Sequence, residues 1–135
     1  MTGEFDLKEL LRGMNPQMQD GIFVFCTVAE TADIPTTLKP LLTFREHEGT
    51  TLVIRCEEAE GLGLRHQFAS RLITLTVHSA LEVVGFLAAI TARLAEAGIS
   101  VNAVSAFHHD HLFVPAHRAD EALTVLQSMS IAETD

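Results

Sequence analysis

Residues Leu72 to Pro115 read LITLTVHSALEVVGFLAAITARLAEAGISVNAVSAFHHDHLFVP and decide the fold. The pattern predicts a strand, a helix, a second strand, a tight turn and a third strand. At its centre, apolar residues recur at steps of four and three, which is the spacing of one helical face. That stripe consists of Val83, Leu87, Ile90, Leu94 and Ala97.

Both ends of this helix carry local signals. Ser79 and Glu82 have the spacing of a capping box, in which each side chain bonds a free N–H group at the helix start. A start near Glu82, with the preceding residues as a loop, is the alternative. At the other end, Gly98 can turn left-handed and Ile99 can pack back on Leu94, as in a Schellman motif.

The segments around the helix predict strands. Ile73, Leu75 and Val77 alternate with threonines, which is typical of a half-buried strand. A strand, a helix and a strand favour a right-handed parallel crossover, and a turn at His109-Asp110 would send the next strand back antiparallel. A second amphipathic helix is predicted after Pro115. The order β-α-β-β-α is ferredoxin-like, with its last strand missing or supplied elsewhere.

The junction LAEAGISV, residues 94–101, resembles the helix-to-strand junction of ACT domains, which are small βαββαβ regulatory modules. Gly85 stands thirteen residues before Gly98, as the family spacing requires. The family has Asp-x-Pro-Gly there, whereas this chain has Glu82-Val83-Val84-Gly85. The family has Gly-Ile-Asn at the second strand, whereas this chain has Gly98-Ile99-Ser100, with Asn102 two positions later.

Three further segments resemble a bacterial group of uncharacterised two-module ACT proteins. They are FCTVAE, ITLTVHS and HDHLFVP, at residues 25–30, 73–79 and 109–115. This resemblance covers nearly the whole chain. It implies an α+β fold, a ferredoxin-like (ACT-like) sandwich duplicated in tandem, with antiparallel sheets and helices on one face.

The first half of the chain reads as a degenerate copy of this plan, in the order α-β-β-β-α. The predicted elements are a helix over 5–14, an apolar strand over 22–28, a long loop over 29–40, a hairpin over 41–54 and a short helix over 56–61. We therefore predict an N-terminal degenerate ACT-like module at residues 1–67 and a C-terminal ACT module at 68–135. The join, residues 65–71, contains no flexible linker, which favours tight packing of the modules.

Bulk composition excludes several classes of function. The chain has 135 residues and a formal charge of -9, which argues against binding to nucleic acid or an anionic membrane. No apolar run approaches the roughly 18 residues of a membrane span, and the acidic N-terminus is unlike a signal peptide.

Cys26 and Cys56 show no sign of a bridge, which suits a cytoplasmic protein. The phenylalanines at 23, 25, 44, 86 and 113 are expected in the core.

The histidine cluster His108-His109-Asp110-His111 is a weak metal candidate. If His109-Asp110 is a two-residue turn, His108 and His111 face each other with Cβ atoms about 5 Å apart. A third ligand would be needed for a zinc site. We interpret the cluster as polar residues on a hairpin tip and predict neither a metal nor another cofactor.

His78 and Ser79 do not predict catalysis. Adjacent residues on a strand point to opposite faces, and the chain has no G-x-S-x-G elbow around this serine. Ser79 is better explained as a helix cap or a ligand-loop hydroxyl. The sequence therefore predicts that the protein is not an enzyme.

The loop that leads from the strand into the helix is the predicted binding site. Free N–H groups and the positive end of the helix dipole favour a carboxylate there. In ACT domains an amino acid effector is held at this place, often between two modules. The resemblance implies a site lined by His78, Ser79, Leu81, Glu82, Gly85, Ser100 and Asn102. Glu82 would bind the ammonium group; the alternative is a capped helix start that binds nothing.

These observations predict a non-catalytic regulatory protein that binds a small molecule, most simply an amino acid, at a module or subunit interface. Exposed sheet edges and the missing last strand favour a homodimer. The output would pass to a separate effector protein. The alternatives are a metal-binding protein that uses the His108–His111 turn, and a purely structural or interaction module.

Overall fold

The structure, a computed structural model, describes residues 3–77 and 83–132. The helices are α1 (Gly3–Arg12), α2 (Cys56–Gly61), α3 (Phe86–Glu96) and α4 (Ala119–Ala132), with a short 3-10 turn at Ala116–Arg118. The strands are β1 (Pro16–Met18), β2 (Phe23–Val28), β3 (Leu42–Glu46), β4 (Gly49–Arg55), β5 (His66–Leu75), β6 (Asn102–Ser105) and β7 (Asp110–Pro115). They form a continuous unit, Gly21–Ser70, and a split unit, Met1–Asp20 with Arg71–Asp135.

The continuous unit contains an antiparallel sheet in the order β3-β4-β2-β5. β2 is central, as its two apolar faces predict. One face packs with α2 around a core of Val24, Cys26, Leu52, Ile54 and Ala59. The prediction that Phe44 is a core residue is wrong, since it is 65% exposed. It lies on β3, the edge strand of the sheet formed by the described residues.

The split unit has the strand order β6-β7-β5-β1, and its helices α1, α3 and α4 share one hydrophobic core. The core takes residues from both segments of this unit. It consists of Leu11, Met14, Ile73, Leu75, Phe86, Ile90, Leu94, Ile99, Leu112, Val114, Ala119, Ala122 and Leu126. The two apolar stripes predicted for the helices after Val83 and Pro115 therefore face this core.

The last strand that the second half lacks is supplied by the chain's own N-terminus. β1 pairs antiparallel with the end of β5, from Pro16 opposite Leu75 to Met18 opposite Ile73. In the continuous unit the corresponding place beside β2 is taken by β5. Sequence patterns did not predict β1, because three residues that begin with a proline carry no alternation signal.

The segment predicted as the join, residues 65–71, is largely strand. β5 begins at His66, well before the alternation that starts at Ile73, and ends at Leu75 rather than Val77. Its first half, to Ser70, belongs to the continuous unit and its second half to the split unit. The module boundary predicted between residues 67 and 68 stays a prediction, although α1 and β1 pack with the second half of the chain.

The helix α3 begins later than predicted and ends as predicted. It starts at Phe86, after the non-helical residues Val83–Gly85, and the two predicted starting points, Ser79 and Glu82, lie outside the described residues. Gly85 has a φ of +92°, which a right-handed helix cannot contain. At the other end Gly98 has a φ of +73°. The amides of Gly98 and Ile99 bond the carbonyls of Ala95 and Leu94 at 2.9 and 3.0 Å, which confirms the Schellman motif.

Substituting Gly98 by alanine tests this helix end. A Cβ there would meet no atom within 4 Å, so the cost is the left-handed backbone alone. We expect Gly98→Ala to lower the free energy of unfolding in urea by about 1 kcal/mol. The control is Gly61→Ala, since Gly61 ends α2 without a positive φ and has equally open surroundings. Equal effects of the two substitutions would contradict the proposed role of Gly98.

Candidate functional site

The described part of the predicted ligand loop lies at the N-terminus of α3. His78, Ser79, Leu81 and Glu82 lie outside the described residues. Gly85 accepts a hydrogen bond at its carbonyl from the Ala89 amide, at 3.0 Å, and has no side chain with which to cap the first turn. On the strand that leads into the loop, the Thr76 hydroxyl donates to the Asn15 carbonyl at 2.9 Å. The loop thus leaves from an anchored strand end.

Ser100 and Asn102 are exposed, but they lie at the opposite end of α3 from Gly85. The helix has 11 residues, so its ends are about 16 Å apart. One small molecule cannot contact both ends within a single unit. A pocket lined by all three residues would need a second copy of the site.

The histidine hairpin differs from the prediction. β6 and β7 pair Ser105 with Asp110, so the loop is Ala106–His109 rather than a two-residue turn. His108 lies in the loop and His111 within β7, opposite Val104, so the two histidines do not face each other across a turn. In residues 3–77 and 83–132, no group of three histidine, cysteine, aspartate or glutamate side chains is placed to hold a metal ion. The metal-binding alternative is not favoured.

His111 instead takes part in the packing of the split unit. Its Nδ1 lies 3.0 Å from the hydroxyl of Thr74 on β5. Burial lowers the pKa of His111, the charge of His109 lowers it further, and Asp110 partly opposes this. The Asp110 side chain itself is buried and accepts a hydrogen bond from Ser105 at 2.6 Å.

The continuous unit contains a cleft that sequence reasoning missed. Its volume is about 320 Å³. It lies where β2 ends and β5 begins, and it is lined by Phe25, Cys26, Thr27, Glu46, Thr51, Arg65, His66 and Gln67. In the sequence, residues 65–67 belong to the predicted join between the two modules. The one available signal was the run of three polar residues Arg65, His66 and Gln67 after a glycine-containing turn.

The two cysteines are not activated nucleophiles. Both thiols are free. Burial raises the pKa of Cys26, and a hydrogen bond to Glu60, at 3.2 Å, is the main cause that raises the pKa of Cys56. Raised pKa values keep both groups protonated at neutral pH, whereas a nucleophilic cysteine needs its thiolate.

Comparison with known proteins identifies the chain as a protein built from two ACT domains. Profiles of the ACT domain match residues 2–71 and residues 67–128. The chain therefore belongs to the ACT-domain family. The tandem arrangement and the ferredoxin-like α+β fold predicted from sequence are confirmed. Membership of this family supports a regulatory, small-molecule-binding role.

Solved structures agree with this assignment. A Vibrio cholerae protein of unknown function, described as a possible transport protein, is 43% identical, with a TM-score of 0.85, over 96% of this chain and 99% of that chain. An Agrobacterium tumefaciens protein is 16% identical, with a TM-score of 0.72, over 85% and 87% of the two chains. The regulatory subunit of aspartate kinase from Thermus thermophilus, in a ligand-free form, is 10% identical, with a TM-score of 0.60, over 85% and 97%.

A search of curated proteins gives no match. Within the part of the chain that the structure describes, no helix combines the length and the apolar character needed to cross a membrane.

Acidification tests the role of His111. Because its pKa is lowered in the folded state, the unfolded chain binds a proton at a higher pH than the folded chain. The stability due to neutral His111 is therefore present above the unfolded pKa of about 6.5 and is lost as the pH falls below it. We expect His111→Gln to flatten this fall in urea denaturation at a series of pH values. The control His117→Gln, at an exposed position, should retain the wild-type slope, and an unchanged slope in His111→Gln would contradict the assignment.

Proposed function

We propose that this protein is a cytoplasmic regulatory protein that binds an amino acid without catalysing a reaction. Membership of the ACT family supports a regulatory, ligand-binding role. The protonated thiols of Cys26 and Cys56 remove the most obvious nucleophiles among the described residues. The aspartate kinase subunit of similar fold is itself regulatory. The signal would pass to a separate effector protein.

The proposed ligand site is the loop before α3, with His78, Ser79, Leu81, Glu82 and Gly85 on one side and Ser100 and Asn102 on the other. The observation that carries this proposal is the start of α3 directly after Gly85, which cannot cap it. First-turn N–H groups and the helix dipole favour a carboxylate at such a start. The ammonium group of the amino acid would pair with Glu82.

The distance between the two ends of α3 makes this an interface site. α3 runs back along the strands that it connects, so the end of β6 lies level with the start of α3. Antiparallel pairing of two β6 strands around a twofold axis places the start of one strand beside the end of the other. Asn102 of one copy would then lie toward the start of α3 in the second copy.

The edge strand β6 suits such pairing. It is the terminal strand in the order of the split unit, and its sequence, NAVS, contains no charge and no proline. Natural proteins usually protect exposed edges with charged residues, proline or bulges. An edge without these features favours a homodimer, in which each copy contributes to two equivalent ligand sites.

The dimer can be tested at Ala103, an exposed residue of β6. We expect the wild-type protein to sediment as a dimer. Ala103→Lys should produce a monomer, because two lysines would meet near the twofold axis. Ala92→Lys, on the exposed side of α3, adds the same charge and should leave the dimer intact. A monomeric wild-type protein, or a dimeric Ala103→Lys variant, would contradict pairing through β6.

The ligand can be tested by thermal shift with the common L-amino acids. A ligand at about a hundred times its Kd adds about 2.7 kcal/mol to stability, which is a shift of several degrees for a chain of this size. We expect Asn102→Ala to reduce the shift and Gln127→Ala, an exposed change on α4, to leave it unchanged. The absence of any shift would favour an interaction module instead. A shift that is indifferent to Asn102→Ala would argue against the interface site.

A further inference from the structure

The cleft of the continuous unit is lined by one carboxylate side chain, Glu46, and one permanently charged cation, Arg65. Glu46 comes from the end of β3, and Arg65 immediately precedes β5. Thr27, Thr51 and Gln67 add two hydroxyls and an amide, while Phe25 supplies an apolar wall. This combination of residues shares no member with the loop before α3.

Glu46 is held in place but keeps free acceptor sites. Its carboxylate accepts a hydrogen bond from the Thr51 hydroxyl, which fixes the side chain against β4. An ionised carboxylate has about four lone-pair sites, so the others remain open for a cation. The pairing of Glu46 with Gly49 also fixes the backbone at the end of β3.

Arg65 has no hydrogen-bond or ion-pair partner among the residues that the structure describes. The described ion pair is between Arg118 and Glu121, elsewhere in the chain. The protein carries 9 lysines and arginines against 18 acids. Arg65 is therefore available to a ligand, and a guanidinium binds carboxylates in a bidentate manner.

The pairing of β2 with β5 beside the cleft contains a β-bulge. Cα partners on β2 and β5 pass from Phe25 and Gln67 to Phe23 and Ser70, which inserts one extra residue into β5. Phe68 within this bulge has a φ of +63°, which is costly for a residue other than glycine. Its ring contacts Phe25 edge-on, with centroids 5.9 Å apart. Bulges of this kind re-aim side chains and occur next to binding sites.

His66 offers one more acceptor. Its Nδ1 lies 2.9 Å from the Leu64 carbonyl, which can only accept, so Nδ1 carries the proton in the neutral ring. The other ring nitrogen, Nε2, is then an acceptor.

We infer that this cleft is a second ligand site, one that takes a small zwitterion of amino acid size. The carboxylate of the ligand binds Arg65 and Gln67, and its ammonium group binds Glu46 and the free nitrogen of His66. The volume of about 320 Å³ lies at the lower end of the range for small-molecule pockets, roughly 300 to 1,000 Å³. The inference shares a class of ligand with the proposed function but stands on different residues.

The charges select a zwitterion over singly charged ligands. A simple carboxylate would pair with Arg65 but approach Glu46, which has the same sign. A simple amine would meet the reverse conflict. A ligand with both groups satisfies each side chain with the opposite charge, and like-charge contacts are an effective means of rejecting other ligands.

The test is a titration of the uniformly 15N-labelled full chain, followed by NMR. The first probes are the common L-amino acids, and the second are the carboxamide and the N-acetyl derivative of the amino acid that binds. We expect the backbone amides of Thr27, Thr51 and Gln67 to shift. Arg65→Gln should weaken the amino acid by about tenfold or more but affect its carboxamide little. Glu46→Gln should weaken binding of the amino acid to a similar extent but affect its N-acetyl derivative, which has no ammonium group, little.

Matched controls lie on the same hairpin. Arg45→Gln and Glu48→Gln remove the same charges from exposed side chains that do not line the cleft, so binding should remain unchanged. The inference is overturned if no cleft amide shifts with any amino acid, or if Arg65→Gln and Arg45→Gln weaken binding equally.

The same titration distinguishes failure of the cleft site from failure of the interface site. Shifts confined to residues around Gly85 and Asn102, abolished by Asn102→Ala, would keep the proposed function and overturn the cleft. Shifts at the cleft that survive Asn102→Ala would establish the cleft whether or not the interface site binds.

Discussion

The strand β5 is the constraint on which both units depend, because its first half belongs to the continuous unit and its second half to the split unit. Cys26 and Phe23 of β2 lie opposite His66 and Ser70, while Pro16 and Met18 of β1 lie opposite Leu75 and Ile73. The change of partner falls between Ser70 and Arg71. The buried Ser70 hydroxyl donates to the Phe23 carbonyl at 2.9 Å, and the Arg71 guanidinium donates to the Gln19 carbonyl at 3.0 Å. These two bonds satisfy the Ser70 hydroxyl and one nitrogen of Arg71, whereas the buried Nε of Arg71 has no hydrogen-bond partner among the described residues.

This double use of β5 explains why the split unit needs the N-terminal residues. Without β1, the end of β5 would present unpaired backbone groups along one side. Met14 and Leu11 add to the same dependence, since both are buried in the core formed with α3 and α4. In the chain, the continuous unit is therefore inserted between β1 and the second half of β5, which both belong to the split unit.

The two candidate sites illustrate what a sequence pattern can reveal. Gly85 can be picked out in the sequence by its spacing from Gly98. Its positive φ is a local backbone property that glycine adopts readily. The cleft has no such spacing signal, because Glu46 and Arg65 are brought together by strand register. Their proximity requires β3 to pair with β4, β4 with β2 and β2 with β5. No local motif encodes three successive registers.

Two predicted elements differ from the structure, one for a local reason and one because of strand register. The capping-box spacing of Ser79 and Glu82 predicted a helix start, yet the left-handed backbone at Gly85 delays α3 to Phe86. The two-residue turn predicted at His109-Asp110 gave way to a longer loop, since pairing of Ser105 with Asp110 sets the register of β6 and β7. His111 is thereby directed to Thr74, and its pKa is lowered by packing that the sequence does not specify.

By itself, the sequence determined the ferredoxin-like order of the second half, the Schellman end of α3 and the membership of the ACT family. These features rest on local periodicity and on glycine positions, which neighbouring residues specify. Only the tertiary structure decided that β1 completes the split unit, that β5 serves both units and that Glu46 and Arg65 line one cleft. Each of these depends on pairing between segments distant in the chain, where register and burial, rather than local preference, determine which residues meet.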